Sequence, residues 1–272
     1  MSRRGSGSAR PPRDANERRS PAERPTADQR NDATNGRGAG DPFTSGSGRR
    51  LAVASAELAE RDPVIADLFA RHGPCRLRAS APVASRFGSL VRSISFQQLA
   101  GGAARAIHGR LVATLDGDVT PERVLTAGDG TLRATGLSAA KVLAIVDLAT
   151  KVQDGTVALG RLGFMDDESV VETLAQVRGV GRWTAEMFLM TSLGRLDVWP
   201  VGDLGVRAGY AWAWELAATP APRDLAGLGE RFRPHRSIVA WYCWRAMEDK
   251  WASERATRRH AAPREACGGE IA

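Results

Sequence analysis

Cysteine is scarce in this sequence, and what there is lies scattered. Cys75, Cys243 and Cys267 are the three present, with no C-x-x-C pair among them. A disulfide framework and a zinc site are not expected, and the spacing rules out a four-cysteine iron–sulfur loop. Long apolar runs are missing as well. With no stretch of about 18 apolar residues, no membrane span is expected, and without an apolar segment near Met1 no secretory signal is expected either. Together these absences lead to the expectation of a reduced, cytoplasmic protein. Tyr and Phe are few, at 2 and 7 residues, while Ala and Leu dominate, a bias that favours helix over sheet.

Two things are abundant: positive charge and tryptophan. The net charge is +7, which invites a nucleic-acid reading. Its location weakens that inference. Residues 1–50 hold eleven Arg against six acids, so five of the seven positive charges belong to that segment. Six of the seven Trp (Trp183, Trp199, Trp212, Trp214, Trp241 and Trp244) fall between positions 183 and 244. The aromatic surface is therefore concentrated in one region.

Residues 1–48 are rich in Arg, Gly, Ser, Pro, Asp and Asn, with Phe43 their only aromatic. Such a segment cannot bury enough apolar surface to offset its ordering entropy, so it is expected to be a disordered basic tail. Residues 253–272 read as a second, flexible tail. Residues 49–252 carry a helical pattern almost throughout. Helices are expected around Ala52–His72 with a break at Pro63, across Phe87–Leu115 with a split near Phe96–Gly102, and over Ser138–Gln153. Further helices are expected over Asp167–Val177, Thr184–Leu193, Leu204–Trp214, Arg223–Phe232 and Ser237–Lys250. No period-2 strand pattern stands out between 50 and 250, which makes the domain all-α.

The chemistry-bearing segment runs from Leu174 to Arg207. An apolar helix end leads into Gly179-Val180-Gly181, and Thr184-Ala185 begins a second apolar helix. Glycines take φ > 0 at little cost, so two of them around one β-branched residue make a tight hairpin with Val180 plugged between the helices. The exposed N–H groups of such a turn suit a phosphate. A plain αα-hairpin would show the same G-V-G.

Four ordered segments remove that ambiguity. Val177-x-Gly179-Val180-Gly181-x-x-Thr184-Ala185 is one, and Asp197-Val198-x-Pro200-x-x-Asp203-Leu204-Gly205-x-Arg207 is another. Ser93-Ile94-x-x-Gln97-Gln98-Leu99 precedes them, and Pro234-x-Arg236-Ser237 through Trp241-Tyr242-x-Trp244 follows. Across about residues 87–250 the chain thus resembles the helix-hairpin-helix DNA glycosylases, and within them the DNA-3-methyladenine glycosylase II type. The resemblance implies two helical subdomains with a cleft between them, and a monomer acting on duplex DNA containing damaged bases (at the nucleoid, in a bacterial cell). It makes Asp203 the catalytic carboxylate. Where the family often shows two adjacent Asp, this chain has Gly202-Asp203, leaving one candidate, which as a preferred cap residue also suits the start of a helix.

The resemblance also places Trp183 where strand-cleaving relatives carry a Schiff-base Lys. Base removal without lyase activity is therefore expected. Trp183 and Trp244 would flank an extruded base, with Met187 lining the same pocket. Gly179, Val180, Gly181 and Thr184 would grip the DNA backbone, while Gln97, Gln98 and Leu99 would probe the duplex, Gln98 as the wedge. No cofactor is expected beyond a structural monovalent cation, Na+ or K+, held by backbone carbonyls of Ala175, Val177 and Val180.

Only one suitably placed acid is visible in the sequence. That suffices when the leaving base is already cationic, as in 3-methyladenine and 7-methylguanine nucleotides, because no proton need be supplied. The alternatives are a non-catalytic module that binds damaged DNA and a glycosylase for deaminated or mismatched bases.

Overall fold

In the computed structural model, residues 46–77, 82–99 and 101–261 are described. The expected tail over 1–48 lies almost wholly outside them. Eleven α-helices and two single 3-10 turns account for the regular structure, and no strand occurs among the described residues. The helices are α1 (Gly46–Arg61), α2 (Pro63–His72), α3 (Val83–Phe96), α4 (Gly101–Thr114), α5 (Pro121–Ala134) and α6 (Ala139–Gln153). They continue with α7 (Asp167–Ala175), α8 (Arg182–Thr191), α9 (Leu204–Ala213), α10 (Pro222–Gly229) and α11 (Arg236–Ala261).

Local chemistry explains most of the boundaries. Asp62 caps α2 by accepting from Val64 N at 2.9 Å and Ile65 N at 3.1 Å, with Pro63 in the first turn and Gly73 at φ 70° ending it. Ser138 and Asp166 cap α6 and α7 in the same way. Helix α5 is absent from the sequence expectation, and its span contains Gly128 and Gly130, poor helix formers. The chain does kink there, at Gly128 with φ 71° and ψ 160°, but Thr120 caps the helix ahead of Pro121 and Val124 and Leu132 are buried. Two boundaries need correcting. Helix α1 starts at Gly46, inside the expected tail, and α11 runs on to Ala261, past the expected break at Ser253. Residues 250–261 are rich in Ala and Arg, strong helix formers, and Lys250 pairs with Glu254 one turn on.

The helices pack in two groups. Helices α3 to α8 lie against one another, while α1, α2, α9, α10 and α11 form the second set. The tightest approach in the second group is α9 on α11 at Gly209, where a Cβ would stand 2.0 Å from the Cys243 carbonyl oxygen. Cys75 and Cys243 are both buried as free thiols. No described helix is long and apolar enough to cross a membrane.

Between α7 and α8 the chain turns as the Gly-Val-Gly pattern requires. Gly179 has φ 72°, and Val180, 5% exposed, is plugged into the core while Gly179 and Gly181 face solvent. Asp147 on α6 braces the turn, accepting from the Arg178 backbone N–H at 2.7 Å and from Lys151. Burial pushes the Asp147 carboxyl up, but these two partners outweigh it and hold its pKa low. Gly179→Ala would force a side chain into the left-handed region. The expected loss is about 1–2 kcal/mol of stability, read from the midpoint of a urea melt.

Candidate active site

Asp203 sits where the two helix groups meet. It is the N-cap of α9, and its Oδ1 accepts from Val206 N at 2.7 Å. Trp244, from α11, donates its indole Nε1–H to the same oxygen at 3.1 Å. Trp183, from the first turn of α8, donates to Oδ2 at 2.7 Å. Two helix groups and three helices thus converge on one carboxylate that is only 9% exposed. Three N–H donors suit an acceptor-only group. Gly205 makes room for this arrangement, since a Cβ there would come within 3.1 Å of both Asp203 Oδ1 and Trp244 Cδ1.

The segment leading to Asp203 is fastened from behind. Ser237 Oγ accepts from Val198 N at 2.9 Å and donates to the Arg195 carbonyl at 2.8 Å. Arg236 and Arg233 hold the Asp197 carboxylate, each at 2.8 Å. Trp199 donates to the Leu225 carbonyl at 2.8 Å. The Asp197, Arg236 and Ser237 positions singled out in the sequence therefore serve as scaffolding for the loop that presents Asp203.

Trp183 and Trp244 are brought together with Asp203, Trp183 being 41% exposed. Their indole N–H edges are fixed on the carboxylate, and Trp244 is partly buried against the core. Met187, one turn beyond Trp183, is half-buried and packs on the core. Gln98 and Leu99 are exposed beyond the end of α3, Gln98 at φ 54° and Leu99 40% exposed, so Leu99 is free of the core.

Two of the expected DNA-facing residues face the protein instead. The Gln97 amide donates to the Gly179 carbonyl at 3.1 Å and to Thr184 Oγ1 at 3.0 Å. Thr184 is 2% exposed. This pair couples the Gln98–Leu99 loop to the hairpin, and a buried hydroxyl taking a side-chain amide is not available to a phosphate.

Sequence reasoning missed two residues. Lys141 on α6 donates to the Ser95 and Gln97 carbonyls, both at 2.8 Å, and so fixes the root of the same loop. Burial lowers its pKa. In the sequence it is one more lysine on an amphipathic helix. The second is Glu186, a buried acid one turn along α8 from Trp183. It is 8% exposed, and burial pushes its carboxyl up to about 7, with Arg182 pulling it down and the Asp203 charge adding to the rise.

The α8 N-terminus beside this site has no side-chain cap, which leaves N–H groups of the kind that bind anions. Arg182, at its first position, pairs with Glu168 at 3.0 Å.

Comparison with known proteins agrees with this geometry. No family model matches the chain. A DNA-3-methyladenine glycosylase of Schizosaccharomyces pombe is 33% identical over 165 residues, 60% of this chain and 72% of the relative. The solved structure of the 3-methyladenine DNA glycosylase of that yeast, in complex with abasic DNA, superposes with a TM-score of 0.65 at 31% identity and covers 71% of this chain and 95% of its own. A Bacillus halodurans DNA-3-methyladenine glycosidase structure gives 0.63 at 31% identity, covering 78% and 93%.

Proposed function

Because the chain belongs to the DNA-3-methyladenine glycosylase family, we propose that Asp203 is the carboxylate with which it hydrolyses the N-glycosidic bond of alkylated purines in duplex DNA. The observation that carries this is the convergence of Val206 N, Trp183 and Trp244 on that one side chain. N-glycosidic cleavage passes through an oxocarbenium-like sugar, and a carboxylate held in a low-exposure site stabilises the developing cation without reorganising. It also orients water and takes up its proton. A cationic base such as 3-methyladenine or 7-methylguanine leaves with the bonding electron pair and needs no proton.

The target nucleotide must leave the stack to reach a buried carboxylate. The Trp183 and Trp244 rings offer aromatic faces to it, worth about 0.5–2 kcal/mol on a cationic base. Exposed Gln98 and Leu99 suit the gap left in the duplex. The Gly179–Gly181 turn and the uncapped α8 N-terminus suit a phosphate. Backbone carbonyls of Ala175, Val177 and Val180 would hold a monovalent cation there. Val177 O already accepts from Val180 N at 3.0 Å, and a carbonyl oxygen keeps a second lone pair for such an ion. The cation would add positive charge beside the phosphate.

Trp183 has no amine, so the reaction stops at an abasic site. The test is incubation with duplex DNA carrying 3-methyladenine or 7-methylguanine. Free base should appear, with strands that break only after alkali. No free base from either lesion would end this reading.

Lys141→Met removes the two bonds at the root of the Gln98–Leu99 loop. Bonds from a charged donor are worth about 1.5–3 kcal/mol each before screening. The partly open site reduces this to roughly a tenfold rise in Kd for abasic duplex, measurable by fluorescence anisotropy.

A further inference from the structure

The geometry points to Glu186 as a general acid that protonates uncharged leaving bases, extending the Asp203 site, on whose assignment above this inference rests, beyond cationic purines. Glu186 lies three residues after Trp183 and four after Arg182, on the face of α8 they share. Both of those neighbours are exposed, yet Glu186 is 8% exposed. It therefore lies beneath the face that carries Trp183, one turn along α8 from the indole that reaches Asp203. Its carboxyl has no hydrogen-bond partner among the described residues, whereas Asp203 has three.

Two carboxyls with such different surroundings divide the roles that glycoside hydrolysis requires, one ionised and one protonated. The charged groups around Glu186 are Arg182 on its own helix, Asp203 at the start of α9 and Glu168 on α7. Burial and the two acids favour its neutral form, and Arg182 opposes them.

In the step, the Glu186 hydroxyl proton moves to a ring nitrogen of the purine as the C1′–N9 bond breaks, its electron pair staying with the base. Water adds its oxygen to C1′ and gives a proton to Asp203. The base departs neutral, and exchange with solvent reprotonates Glu186 and frees Asp203. Below about 7 the acid is present, and it is lost as pH rises through that value.

The experiment is single-turnover release of hypoxanthine, an uncharged leaving base, beside 7-methylguanine, at about pH 5 to 9. Wild-type hypoxanthine release should fall as pH rises through about 7. Glu186→Gln should flatten that profile and lose roughly 30-fold or more on hypoxanthine beyond any loss on 7-methylguanine. Glu186→Asp keeps an acid and should retain the pH dependence. Circular dichroism and abasic-duplex binding confirm that each variant is folded. Equal losses on the two bases, an unchanged profile in Glu186→Gln, or wild-type release of 7-methylguanine with no hypoxanthine at any pH would overturn the inference alone. Release of neither 7-methylguanine nor 3-methyladenine would instead overturn the function proposed for the whole site.

Discussion

Asp203→Asn is expected to lower single-turnover release of 7-methylguanine by about a thousandfold or more, the scale of losing an electrostatic and base contribution together. The amide keeps the volume and remains a good N-cap, so Val206 N keeps a partner. What changes is charge and polarity. An amide has one acceptor oxygen where Asp203 offers two, so it cannot satisfy Trp183 and Trp244 on opposite oxygens as the carboxylate does. The orphaned indole costs about 1–3 kcal/mol of stability. Binding to abasic duplex should persist, because the hairpin and the Gln98–Leu99 loop are untouched. A rate within tenfold of wild type would remove Asp203 from the mechanism.

Gly209→Ala is expected to be the most damaging single-methyl change outside the site. Its Cβ would stand 2.0 Å from the Cys243 carbonyl oxygen and 2.6 Å from the carbonyl carbon, both backbone atoms with no rotamer to yield. The only relief is to part α9 from α11. Overpacking of flexible cores costs about 1–3 kcal/mol, and a rigid helix–helix clash belongs at or above the top of that range. At roughly 2–4 °C per kcal/mol for a chain of this size, Tm should fall by about 10 °C. The same separation would pull Trp244, on α11, from Asp203, at the start of α9, so activity should fall in the protein that remains folded. A thermal melt within about 2 °C of wild type would contradict the packing described.

Local features were legible in the sequence, and features made by assembly were not. Gly179-Val180-Gly181 foretold a turn with a buried Val180 because φ and side-chain size are properties of single residues. The family resemblance singled out Asp203, Trp183 and Trp244, and the structure brings those three side chains into contact. Their indole N–H groups both ending on Asp203 depends on three helices meeting, which no spacing encodes. Thr184 and Gln97 looked like surface polar residues, and only the packing of α3 beside α8 turns them toward each other. Glu186 belongs to none of the motifs read in the sequence, and its burial appears only once α8 is packed in place. Helix α5 was not assigned from the sequence; two glycines weaken its helical pattern, while Thr120 and Pro121 form its cap and first turn. The far end of α11 was taken for a tail because Arg-rich composition resembles one, while helix propensity says otherwise.

The most direct test of the whole account is to identify what leaves a duplex carrying a single 7-methylguanine when the purified protein is added with borohydride present. Free 7-methylguanine, an intact strand that breaks only in alkali, no covalent protein–DNA adduct, and loss of base release in Asp203→Asn are the predicted results. A borohydride-trapped adduct, strand scission without alkali, or no free base would contradict it.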